Sequence, residues 1–239
     1  MKRLFDFSLA LIGLLLLSPI IALLSFLIWL EDRHSPIYKA KRVGRHNKDF
    51  ILYKFRSMRL EADKTGVFST SANDTRITRI GSFIRRFKLD ELPQLVNILN
   101  GTMSLVGPRP NVRVDVDKYT LKEFELLNVR PGITDFASIV FSDEGDILSD
   151  AEDPDKKYNQ IIRPWKSRLG LIYIEKSNLA LDLKLLFLTF IVILNRPAAL
   201  KRINGILKEL GAEQSLLEVV LRKKDLTPFP PPGSNEVAD

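Results

Sequence analysis

Two carboxylates, Asp90 and Glu91, stand side by side between three cations and a proline in Arg85-Arg-Phe-Lys-Leu-Asp-Glu-Leu-Pro-Gln-Leu95. Adjacent like charges repel, so the pair is costly unless cations or a metal offset it. Beside Arg85, Arg86 and Lys88 such a pair could hold a divalent cation, attack an electrophile or move a proton. Asp90 also reads as the N-cap of a helix. Pro93 would sit in its first turn, with Leu92, Leu95, Val96 and Leu99 on one face and Asn100-Gly101 as the stop. A helix start favours anions through its dipole and free N–H groups. Further on, Pro108 and Pro110 fix the backbone around Arg109, which suits bidentate phosphate recognition. Lys54 and Arg56 lie two residues apart and share one face if extended, so they could hold a phosphate too.

Composition narrows the chemistry. The 239-residue chain has no cysteine, which excludes disulfides, thiolate metal sites and cysteine nucleophiles. With His34 and His46 as its two histidines, a histidine-rich metal site or a serine–histidine triad is not expected. Carboxylates, arginines, lysines and a divalent cation must do the work. Residues 1–60 hold eleven Lys/Arg against four Asp/Glu, and the rest holds 25 of each sign. The basic excess therefore flanks the apolar N-terminus. That points to an anionic membrane surface or anionic ligands, or to a topology signal alone. A nucleic-acid partner is not expected, because the charge sits beside an apolar anchor without interleaved aromatics.

The elements that position these residues follow. Phe7 to Leu30 is an uncharged run of 24 residues, and about 20 suffice to span a bilayer. Its length and the lack of a cleavage site before Glu31-Asp32-Arg33 argue against a signal peptide. Ser18-Pro19 interrupts it: proline removes the backbone bond to Leu15, and Ser18 can bond the freed carbonyl. Both flanks are basic. A helix bent at Ser18-Pro19 that enters and leaves by one leaflet fits both facts, with a kinked single span as the alternative. Residues 37–58 read as a short hairpin around Gly44-Arg45-His46-Asn47-Lys48. Residues 61–76 read as a loop. From Thr78, Ile80, Phe83, Ile84 and Phe87 recur at helical spacing among cations, as in an interfacial helix. The acidic stretch 142–155 reads as a solvated loop, with a cation site as the alternative. Leu179–Asn195 is too short to span and reads as a buried or interfacial helix. Residues 202–224 are amphipathic, and Thr227-Pro-Phe-Pro-Pro-Pro-Gly reads as a disordered tail.

Five features occur in one order: the apolar run with Ser18-Pro19, Lys54-Phe-Arg-Ser-Met58, Leu89-Asp-Glu-Leu-Pro-Gln-Leu95, Met103-Ser-Leu-Val-Gly-Pro-Arg-Pro110 and Arg130-Pro-Gly-Ile-Thr134. Together they resemble the bacterial sugar transferases, the monotopic phosphoglycosyl transferases, over roughly residues 1–195. The resemblance implies transfer of a sugar 1-phosphate from a UDP-sugar to a polyprenol phosphate such as undecaprenyl phosphate, with release of UMP and with Mg²⁺ required. It implies the first membrane step of surface glycan or polysaccharide biosynthesis, on the cytoplasmic face of the bacterial inner membrane. It assigns Asp90 as the nucleophile that forms a covalent phosphosugar. Glu91 is its dyad partner, orienting the metal or deprotonating an incoming group. Arg85 and Arg109 would bind phosphate, and Ser18-Pro19 would break a re-entrant helix. Members continue Pro-Gly-Ile-Thr with Gly, an aromatic, Ala and Gln; here Asp135-Phe-Ala-Ser138 follows, which leaves the donor sugar open. The extra N-terminal spans of larger relatives are missing, as in the short form.

The expected architecture is an α-rich α/β (α+β) membrane-associated fold. A re-entrant membrane helix with basic flanks takes residues 1–36. A small cytoplasmic catalytic domain with a β-hairpin takes 37–197, and a C-terminal amphipathic helix with its tail takes 198–239. Oligomeric state, a homodimer included, stays open. The rival reading is a non-catalytic protein that binds anionic lipid, in which Asp90 is only a cap.

Overall fold

The computed structural model describes residues 1–62, 66–67, 69–71 and 73–238. Part of the 61–76 loop expectation thus lies outside the described residues. Helix α1 (Lys2–Asp32) runs unbroken through Pro19. Leu15 O, deprived of a backbone donor, accepts from Ser18 Oγ at 2.8 Å, as the sequence suggests. Strands β1 (Ile37–Val43) and β2 (Asp49–Phe55) form the expected hairpin, paired from Ile37↔Phe55 to Val43↔Asp49.

Helix α2 (Arg79–Arg86) starts at Thr78, whose side chain accepts from Gly81 N–H. A Cβ on Gly81 would lie 1.9 Å from Ser57 O, so only glycine lets α2 seat on the end of the hairpin. The next helix corrects the sequence reading. Asp90 lies in a 3-10 turn, Leu89–Glu91, entered through Lys88 in the left-handed region (φ 55°). Helix α3 (Gln94–Leu99) begins later, with Pro93 as its N-cap. The reason is local: of the two N–H groups a capping Asp90 could bond, Pro93 lacks its own and Leu92 N–H donates to Leu89 O at 3.2 Å. The buried face of α3 is Gln94, Leu95, Asn97 and Ile98, while Val96 is exposed.

Strand β3 (Ser104–Val106) leads into the Pro-Arg-Pro segment, and α4 (Arg113–Val116) follows. Strand β4 (Gly132–Thr134) pairs parallel to β3, Ser104↔Gly132 and Val106↔Thr134. A Cβ on Gly132 would come within 2.1 Å of Gly107 N, so the two backbones cross at contact just before Arg109. Short helices α5 (Phe136–Val140), α6 (Glu144–Ile147) and α7 (Pro154–Lys157) lead through a π-turn to α8 (Arg163–Lys176). Helices α9 (Leu179–Leu194), α10 (Arg196–Glu209) and α11 (Gln214–Val220) complete the chain's helices.

Most of the core is one cluster that joins Ala10 of α1, α3, β3, α5, α8, α9, α10 and α11. A satellite packs Leu24 and Ile28 of α1 on Phe55 and Ile84. Both ends of α1 are therefore held by the same body. Near its start, Lys2 bonds Asp182 at 2.6 Å, Arg3 donates to Ile98 O and Leu99 O, and buried Asp6 accepts from Ser104 Oγ at 2.8 Å. At its end, Asp32 accepts from Arg56 at 2.6 Å.

Large apolar side chains stay exposed together on three helices: Leu15, Leu16, Leu23 and Phe26 of α1, the contacting rings of Phe83 and Phe87 at α2, and the α9 stripe of Leu183, Phe187, Phe190 and Leu194. Helix α1 is long and apolar enough to cross a bilayer. Two surface expectations are corrected. The acidic stretch is not a loop of free charges: Asp143 pairs with Arg196 and Arg222, Glu144 with Lys166, and Asp153 caps α7. The proline-rich end is not disordered. Phe229 stacks on Trp165 at 4.3 Å, and Pro231 and Pro232 are buried.

Candidate active site

The turn after Lys88 turns both carboxylates inward, and Asp90 keeps only 7% of its surface exposed. Strand β2 brings Lys54 to them: its Nζ lies 3.9 Å from Asp90 Oδ2 and 3.6 Å from Glu91 Oε1. The segment after β3 brings Arg109, whose Nη2 donates to Glu91 Oε1 and whose Nη1 donates to Ile133 O at 3.3 Å. Arg85, in the last turn of α2, reaches Ser57 Oγ at 3.5 Å and acts on Asp90 through its charge.

The electrostatics divide the pair. Burial pushes the Asp90 carboxyl up from its ordinary value, the adjacent Glu91 charge adds to this, and Lys54 and Arg85 only partly offset it. Burial would raise Glu91 as well, but the Arg109 guanidinium and the Lys54 ammonium outweigh it and hold Glu91 well below the usual carboxylate range. Burial in turn lowers Lys54 and Lys88. One carboxylate is thus locked in an ion pair, and its neighbour is left with no hydrogen-bond donor among the described residues.

Of the residues singled out by sequence, Asp90, Glu91, Lys54, Arg109 and Arg85 converge. Arg56 does not: β2 ends at Phe55, and Arg56 turns to Asp32 at the end of α1. Ser18 and Pro19 lie mid-way along α1, in the membrane-like segment rather than at the dyad.

Other residues join the site that sequence reasoning missed. Lys88 donates to Ser138 O at 3.3 Å. A cavity opens on the far side of Arg109, lined by Tyr119, Asp135, Ser138, Tyr158, Arg163 and Lys166 among others. Asp135 is buried, caps α5 by accepting from Ser138 N–H at 2.7 Å, and is raised by burial. Arg163 is 2% exposed, and its Nε has no hydrogen-bond partner among the described residues. These groups come from five separate stretches, so no local spacing could have disclosed them. The one signal was the departure at Asp135-Phe-Ala-Ser138.

A profile of the bacterial sugar transferases matches residues 1–196. The chain belongs to the bacterial sugar transferase family. Among its relatives is a Bacillus subtilis (strain 168) protein whose name proposes it as an undecaprenyl-phosphate N-acetylgalactosaminyl 1-phosphate transferase. It is 50% identical over 49% of this chain and 66% of its own length. The UDP-N-acetylgalactosamine-undecaprenyl-phosphate N-acetylgalactosaminephosphotransferase of Aeromonas hydrophila is 36% identical over 81% of this chain and 43% of its own. The UDP-glucose:undecaprenyl-phosphate glucose-1-phosphate transferase of Escherichia coli (strain K12) is 35% identical over 79% of this chain and 39% of its own. The chain thus spans less than two thirds of each of these relatives.

Proposed function

We propose that this sugar transferase moves a sugar 1-phosphate from a UDP-sugar to undecaprenyl phosphate through a phosphosugar carried on Asp90. The observation that carries this reading is one buried carboxylate without a hydrogen-bond donor, ringed by Lys54, Arg85 and Arg109. Asp90 attacks the phosphorus that bears the sugar, and the bond from that phosphorus to the UMP oxygen breaks. UMP leaves with the electron pair. The Asp90–phosphosugar is a mixed anhydride. A phosphate oxygen of the polyprenol phosphate then attacks the same phosphorus, forms the diphosphate and frees the Asp90 carboxylate. The surrounding cations stabilise charge on the phosphoryl oxygens in both steps.

The Arg109 and Lys54 charges hold Glu91 in its carboxylate form. Its role here is to fix Arg109 and share a cation. Two adjacent carboxylates suit Mg²⁺, which commonly takes one or two carboxylates plus substrate phosphates and water. Among the described residues no cluster of three metal-binding side chains offers a fuller cage. Asp90 and Glu91 would hold the ion, which when bound supplies further neutralisation of phosphate charge.

The membrane arrangement follows from α1. A straight helix of its length measures about 46 Å, and as a span would carry its ends to opposite faces. Both ends instead bond one body, which supports a re-entrant helix in a single leaflet. The exposed faces of α2 and α9 would lie in the interface beside it. The basic flanks support a position of the body on the cytoplasmic side of the bacterial inner membrane. The donor sugar differs between the relatives' names, so the test is UMP release from a panel of UDP-sugars, with Mg²⁺ and undecaprenyl phosphate. Release with one sugar supports the reaction; none from any sugar by folded, membrane-bound protein contradicts it.

A further inference from the structure

The family match ends at residue 196, yet the chain beyond it grips the cavity behind Arg109 from both sides. One wall is the segment from Asp135 to Ile147. At its start Asp135 and Ser138 line the cavity, and near its end Glu144 pairs with the cavity residue Lys166. Arg222, just past α11, holds this wall from behind. Its Nη2 donates to Val140 O at 3.0 Å and to Asp143 Oδ1 at 2.9 Å, and its guanidinium lies 4.7 Å from the centre of the Phe141 ring. Arg222 adopts a left-handed backbone (φ 51°) to do so, a conformation a non-glycine residue keeps only where its surroundings enforce it. Arg196 reaches the other oxygen of Asp143 at 2.7 Å.

The opposite wall carries Tyr119, Tyr158, Arg163 and Lys166, and the C-terminal tail binds it. Phe229 stacks on Trp165 at 4.3 Å, and the Arg168 guanidinium lies 4.8 Å from its ring. Its N–H donates to Gln160 O at 3.0 Å, and Pro230 O accepts from Arg168 at 2.9 Å. Pro232 O accepts from Thr120 Oγ1 at 2.5 Å. None of these tail contacts involves Asp90, Glu91 or Lys54.

We infer that residues 214–232 are a clamp that sets the spacing of the two cavity walls, and with it the affinity for the UDP-sugar donor. The inference rests on the proposed reaction, with the cavity residues Arg109, Arg163 and Lys166 meeting the diphosphate of the donor. Arg222 and Phe229 are positioning residues: they act through Asp143–Glu144 and Trp165, not on the reacting atoms. A clamp of this kind changes donor binding in ground and transition states alike. It therefore moves KM and leaves kcat.

The test uses the full-length protein, the UDP-sugar found by the panel, and a titration of UDP itself by calorimetry. Arg222→Ala is expected to raise KM for the UDP-sugar and the Kd for UDP by about tenfold. Its kcat and its KM for undecaprenyl phosphate should stay within about twofold. Arg222→Lys, which keeps a donor to Asp143 and Val140 O, should recover most of the loss. Lys224→Ala, which removes only an exposed pair with Glu218, should behave as wild type. A fall in kcat and melting temperature with donor KM unchanged, or an equal effect of Lys224→Ala, would overturn the clamp. Absence of wild-type turnover contradicts the proposed reaction, and the UDP titration then judges the clamp alone: an unchanged Kd in Arg222→Ala, or no UDP binding at all, overturns it.

Discussion

Lys54 Nζ lies 3.9 Å from Asp90 Oδ2, joining the hairpin to the turn that carries the dyad. The ammonium is too far away to neutralise Asp90 by a hydrogen bond, and near enough to bind an oxygen of a phosphoryl group that Asp90 attacks. Lys54→Met should therefore lower kcat/KM by about 10²–10³, the usual loss for one donor to a transition-state oxyanion. Steady-state UMP release measures it. A loss under tenfold would mean that Lys54 is only a structural neighbour.

The pH profile tests the split between the two carboxylates. The nucleophile must be ionised, and burial lifts Asp90 above its ordinary 3.8. With Mg²⁺ limiting, the acid limb of kcat/KM should thus lie above that value, because a bound cation would itself lower Asp90. Glu91 contributes to this lift through its negative charge. Glu91→Gln removes it, so the limb should move to lower pH while the maximum rate falls. A limb that moves to higher pH would contradict the coupling.

Arg56 provides a contrast. It is committed to Asp32, so Arg56→Ala should cost about 1–2 kcal/mol of stability. Its kcat should remain near wild type. A thermal melt and one kinetic trace suffice, and a large fall in kcat with unchanged melting would return Arg56 to the site.

The proposed re-entrant course of α1 can be tested because the chain has no cysteine. Single cysteines introduced near Lys2 and at His34 should be labelled from the same side of a membrane vesicle. Ser18→Ala with Pro19→Ala removes both the missing amide and the hydroxyl bond to Leu15 O. That variant should label from opposite sides and lose activity, because an α1 that spans the bilayer cannot keep both Asp6 on Ser104 and Asp32 on Arg56. Labelling from one side in the double variant would acquit the Ser-Pro pair.

The parts legible in sequence were those set by local pattern. Turn residues between apolar runs gave the hairpin, helical spacing gave α2, an apolar run too short to span gave α9, and two prolines marked Arg109. Asp90 and Glu91 stood out as an electrostatic conflict. Asp90 is not the N-cap its spacing suggests, because Pro93 has no N–H and Leu92 N–H is taken by Leu89 O. The acidic stretch and the proline-rich tail were misread for another reason. Their partners, Arg196, Arg222, Lys166, Trp165 and Arg168, lie 10 or more residues away, and composition is blind to such pairing. The cavity was invisible for the same reason.

The central claim is the covalent phosphosugar on Asp90. It is tested most directly by mixing the protein with its UDP-sugar and Mg²⁺ while withholding undecaprenyl phosphate. The account predicts one equivalent of UMP per active site and a matching gain of one sugar phosphate in the intact protein mass, both absent in Asp90→Asn. Turnover with both substrates present, but no UMP release and no mass gain without the acceptor, would contradict it.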